Sequence, residues 1–151
     1  MKKVIIGVVL VILLPTISSA DYDANKIKQF VTKEKIFKVT GWKRSDNNVA
    51  WIAKHNLKNA VMSITKDNAG IMTFLSTSAE ATDAMVRCLY LGDFGLNIKT
   101  EKERNKLSGV IRSATKGKET SMKLNNVKFK ASAIEIEKMV ALTCQLTPNK
   151  N

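Results

Sequence analysis

Two cysteines, one histidine and thirteen carboxylates are the stock from which this 151-residue chain can build a thiol nucleophile, an imidazole base or a metal site. Cys88 and Cys144 lack the Cys-x-x-Cys spacing of a catalytic redox pair, so their chemistry is that of a structural disulfide. His55 needs an orienting carboxylate to act as a general base, and Asp46 or Asp67 reaches it only through folding; the better reading is a solvated loop histidine. Glu135 and Glu137 lie two apart on a strand-like run, where they share a face. A carboxylate pair of that kind can flank a sugar, but with Ile134 and Ile136 opposite them they read as a solvent-facing pair. Metal ligation needs clustered His, Cys or carboxylates, and none has ligand spacing, so neither metal nor cofactor is expected. Asp93-Phe94-Gly95 spells a kinase tripeptide without the glycine-rich or catalytic-loop segments that give it meaning, and reads as a turn after a helix. Gly-x-Ser-x-Gly, P-loop and Gly-x-Gly-x-x-Gly patterns are absent. The residues favour a non-catalytic protein over the alternative of a small hydrolase.

Each cysteine sits on an apolar face. Ala81, Ala84, Met85, Cys88 and Leu89 recur at helical spacing, while Val140, Leu142, Cys144 and Leu146 share one face of a strand. A helix stripe and a strand face directed into one core bring the sulfurs together and close a 57-residue loop. The chain-entropy model values such a closure at about 4 kcal/mol.

The elements that carry these residues read as follows. Ile27, Phe30 and Val31 mark an amphipathic helix over Ala24–Lys33. An alternating run at 37–44 and the cluster Ser45-Asp46-Asn47-Asn48 lead into a strand at 49–54. Ala60, Met62 and Ile64 alternate, Asp67-Asn68-Ala69-Gly70 turns the chain, and 71–76 returns it. Thr77-x-x-Glu80 and Thr100-x-x-Glu103 are capping boxes that open two helices, with Gly92 and Gly117 as their stops. Met122 and Leu124, the turn Asn125-Asn126, and then Val127, Phe129, Ala131 and Ala133 form a hairpin. Ile134 and Ile136 fall in the opposite phase, which predicts a bulge or bend near Ala133 before a turn at Glu137-Lys138. Strands and helices come in runs, which indicates an α+β single domain. It has an antiparallel sheet of six to eight strands, helices packed on one face, and one disulfide.

Lys2 and Lys3, the apolar run 4–14, Pro15 and Ser18-Ser19-Ala20 have the layout of a cleaved signal peptide over residues 1–20, leaving one domain over 21–151. The run to Ile17 would span about 21 Å as a helix, short of the about 30 Å hydrocarbon core. The periplasm is the expected destination, and an oxidising one for the two thiols.

Lys and Arg outnumber Asp and Glu by 25 to 13; removing Lys2 and Lys3 takes the formal charge from +12 to +10. Residues 99–130 carry ten Lys/Arg, including Lys106, Arg112, Lys128 and Lys130, against three carboxylates, a net +7, while 80–98 is net −2. Lys128 and Lys130 share the strand face opposite Val127 and Phe129. Lys38, Thr40, Trp42 and Arg44 share the face opposite Phe37 and Val39. A tryptophan among cations on a non-core face is an interface anchor; the alternative is that the N-terminal helix covers Trp42 through Phe30. These features predict a monomeric binding protein, of inhibitor or immunity type, that docks on an acidic protein partner. The alternative is a binder of an anionic polymer or surface: nucleic acid, lipopolysaccharide or anionic phospholipid.

Overall fold

A computed structural model describes residues 21–149; the expected signal peptide lies outside the described residues. The chain order is α1 (Ala24–Lys33), a 3-10 turn (Lys35–Phe37), β1 (Val39–Arg44), β2 (Trp51–His55), β3 (Ala60–Ile64), β4 (Ala69–Leu75), α2 (Ser78–Gly95), α3 (Glu101–Ala114), β5 (Thr120–Leu124), β6 (Val127–Ile136) and β7 (Met139–Pro148). All seven strands form one antiparallel sheet in the order β1-β2-β3-β4-β7-β6-β5. The α+β single domain with one disulfide expected from the sequence is the fold observed.

Both capping boxes form. The hydroxyls of Thr77 and Thr100 accept from the amides of Glu80 and Glu103, and each glutamate accepts from its cap amide in return. The apolar faces of α2 and α3, with Leu91 and Leu107 fully buried, lie on the sheet face that carries Met62, Ile71, Phe129, Leu142 and Leu146. The Cys88–Cys144 bond, with Cα atoms 5.7 Å apart, fastens α2 to β7 at the centre of this layer.

Gly92 is not a helix stop. The helix continues to Gly95, and Asp93-Phe94-Gly95 is its last turn rather than a turn after it. The closing residue is Asn97, in the left-handed region at φ 52. The Asn97 amide donates to Phe94 O and that of Ile98 donates to Asp93 O, the paired hydrogen bonds of a Schellman closure. Gly92 instead permits close packing: a β-carbon there would fall 2.8 Å from Leu107 Cδ1 and 3.1 Å from Phe129 Cε2. Gly117, at φ 79, does close α3 by the same pair of bonds, with its amide on Ala114 O and that of Lys118 on Ser113 O.

Two further expectations are corrected at the strands. The predicted bulge near Ala133 is absent, since β6 and β7 pair without interruption from Val127↔Pro148 to Ile136↔Met139. The phase of the apolar residues changes because β6 changes the face on which it is apolar: Ile134 and Ile136 point to the side away from the helices. An irregularity occurs in β1 instead, between Val39 and Gly41. It puts Val39 and Trp42 on one face, where simple alternation would put them on opposite ones. The first strand begins at Val39, because Phe37 closes the 3-10 turn and Lys38 follows it at φ 50; the second begins at Trp51 rather than residue 49.

Candidate functional site

The seven cations and aromatics singled out in the sequence do not converge on one face. Lys106 and Arg112 are exposed on α3, on the solvent side of the helix layer. Lys128 and Lys130 alternate with the buried Val127 and Phe129, and so lie on the opposite, uncovered side of the sheet, where Lys130 Nζ pairs with Glu119 at 2.8 Å. Trp42 and Arg44 are on β1, five strand positions from β6 and about 24 Å away at about 4.8 Å per strand. Lys38 stands outside the strand, and the Thr40 hydroxyl donates to Lys54 O.

Trp42 is half-buried on the helix side. Its indole Nε1 donates to Thr32 Oγ1 at 2.8 Å, so α1 does cover it. The covering residue is Thr32 rather than Phe30, which stacks on Phe94 with centroids 4.0 Å apart. In α1, burial of Ile27 and Val31 against the core leaves Lys28 and Thr32, one turn apart, on the flank that faces β1 and β2.

That flank, together with the paired ends of β1 and β2, forms a corner the sequence reading did not single out. Arg44 pairs with Trp51 in register, so the two side chains lie side by side on the helix face. The Arg44 guanidinium carbon lies 4.1 Å from the Trp51 ring centroid, and Lys28 Nζ lies 3.5 Å from the same centroid and 6.0 Å from that of Trp42. Arg44 also donates to Asn48 O at 3.0 Å, which fixes its direction. Among the described residues neither Lys28 nor Arg44 forms an ion pair with a carboxylate. One signal for this corner was in the composition: residues 24–66 hold ten Lys/Arg against Glu34 and Asp46, a net +8.

The groups weighed for catalysis take structural places. His55 Nδ1 accepts from the Leu57 amide at 3.1 Å. Burial holds the His55 imidazole below its usual range, against the upward effect of backbone bonds with Leu57 and Ala60, and the nearby Arg87 guanidinium adds to the depression. Arg87 is itself buried. Its Nε donates to Ile36 O at 3.2 Å, tying α2 to the 3-10 turn, and its guanidinium faces Asp83 at 3.6 Å. Glu135 and Glu137 do not share a strand face: Glu135 is the partner of Val140, while Glu137, at φ 49, has already entered the hairpin turn with Lys138 at φ 73. Among the described residues no group of three or more His, Cys, Asp or Glu is close enough to hold a metal ion. A cleft of about 520 Å³ lies between the helices, lined by Phe30, Glu34, Tyr90, Phe94 and Leu107, with the Arg104–Asp93 ion pair at its wall.

No protein-family model matches the chain, and neither the curated proteins nor the solved structures contain a significant match to it.

Proposed function

We propose that this is a non-catalytic, exported binding protein of inhibitor or immunity type, and that it docks on an acidic protein partner through the corner built by Lys28, Trp42, Arg44 and Trp51. The observation that carries the reading is the pair of cations held on one tryptophan ring without a carboxylate to neutralise them. Cation–π contact is worth about 0.5–1 kcal/mol at an exposed site, more when desolvated, and it holds both side chains in place before a partner arrives. Tryptophan and arginine are also the residue types in which interface binding energy concentrates. A polymer that binds by base stacking needs an open ring, whereas Trp51 is occupied by two cations and Trp42 is fastened to Thr32. This favours the protein partner over the anionic polymer.

The test is affinity capture from a periplasmic extract at low and high salt, with the unaltered chain beside a Lys28→Ala, Arg44→Ala double variant. The expected result is one stoichiometric acidic protein, with association slowed about tenfold or more in the double variant. Nucleic acid or lipid in the eluate, or equal capture by both chains, overturns the proposal.

A further inference from the structure

The face of the sheet away from the helices is apolar where an antiparallel sheet with one solvated face would be polar. Register places Val61 beside Met72 and sets Phe74, Ala141 and Ile134 in one row across three strands, with Ile136 beside Met139 at the hairpin end. Val61 is 51% exposed and Met139 46%. Along β7 this face carries Met139, Ala141, Thr143 and Gln145; Ala141 and Thr143 are buried, the latter hydrogen-bonded to Ser132 across the strands. Met72 and Phe74 of β4 stand on one side of that line and Ile134 of β6 on the other. Ala141 between them has no exposed surface, so what this face offers is an apolar strip of Met72, Phe74 and Ile134, with Val61 and Met139 exposed at its ends.

The charges on this face are of one sign. Lys43, Lys54, Lys123, Lys128 and Lys130 project from its strands, and the one carboxylate bordering it, Glu119, is engaged by Lys130. Lys123 and Lys128 are direct cross-strand partners, an arrangement that repels until an anion comes between them. A second copy of the chain would add five more lysines to the contact.

The geometry points to an acidic amphipathic helix of a protein partner as the occupant of this face, its apolar stripe over Met72, Phe74 and Ile134 and its carboxylates over Lys123 and Lys128. The site goes beyond the corner at Trp51, lies on the other side of the sheet, and does not require that corner to bind anything.

Two synthetic helical peptides test it, one with a leucine stripe flanked by glutamates and a twin with lysines in their place, titrated into the isotope-labelled protein. The glutamate peptide is expected to shift the amides of Met72, Ile134 and Thr143 and to bind about tenfold more tightly than its twin. A Lys123→Ala, Lys128→Ala variant is expected to remove most of that difference. Comparing the two peptides on unaltered protein does not depend on any variant folding. Equal binding of both peptides, or shifts that map elsewhere, overturns the inference. So does a dimer in sedimentation with these amides at its interface, or binding to vesicles of phosphatidylcholine and phosphatidylglycerol that shifts the same amides.

Discussion

Gly95 of α2 lies so close to Leu146 of β7 that a β-carbon built on it would fall 2.1 Å from Leu146 Cδ1. Leu146 is fully buried, so it has no free space into which to retreat. Gly95→Ala is therefore expected to cost about 1–3 kcal/mol through overpacking, and Gly92→Ala a similar amount against Leu107 and Phe129. Gly109, in the exposed middle of α3, has nothing within 4 Å of such a carbon, so Gly109→Ala is expected to stabilise by about 0.5–1 kcal/mol. Urea unfolding of the three variants checks the opposite signs; a stabilising Gly95→Ala would refute the close-packing account.

Cys88 and Cys144 are both buried, and their bond spans 56 positions of sequence. Reduction, or a Cys88→Ala, Cys144→Ala double variant, is expected to lower stability by about 2–4 kcal/mol. Because the bond sits inside the helix–sheet layer, the reductant should act only as the protein opens. The rate of thiol release, followed by alkylation, should then follow the unfolding equilibrium as denaturant is added.

Thr77→Ala and Thr100→Ala each remove a hydroxyl that satisfies a first-turn amide, at a cost of about 1 kcal/mol. At Thr100 the effect carries a pH signature. The amides of Lys99 and Thr100 hold the Glu103 carboxyl below its usual range, so the contribution of the box is present above the ordinary glutamate value and fades as pH falls through the depressed one. Acid titration of thermal stability in Glu103→Gln against the unaltered chain measures it.

His55 gives the second pH dependence. Burial lowers its folded pKa, so the unfolded chain binds a proton first as pH falls past 6.5. Stability is expected to decline as pH falls through 6.5 and to level off once the native imidazole protonates as well. His55→Asn, which keeps an acceptor for the Leu57 amide, should flatten that slope; an unchanged slope assigns it to other groups.

The features that were legible in the sequence are those decided within a few residues. Both capping boxes, the Glu137-Lys138 turn and the α1 stripe are local, and the disulfide followed from two local periodicities meeting in one core. What escaped the reading is set by tertiary contact. Gly92 resembles a stop by composition, yet the deciding neighbours are Leu107 and Phe129, from other elements. The phase change at Ile134 marks a change of apolar face rather than a bulge, because alternation tells which side chains share a face but not whether the other face is covered. The Trp51 corner needed α1 to arrive over β2, which no spacing along the chain encodes.

The irregularity between Val39 and Gly41 has a consequence for the protein's behaviour at high concentration. An outermost strand offers unpaired amides and carbonyls to any neighbouring molecule, and a bulge that twists the strand out of line, followed by the exposed Lys43 and Arg44, spoils that template. The opposite border, β5, is only five residues long and carries Lys123. Both margins are thus shielded against strand-to-strand polymerisation, which leaves the flat of the sheet free to be apolar without seeding fibrils.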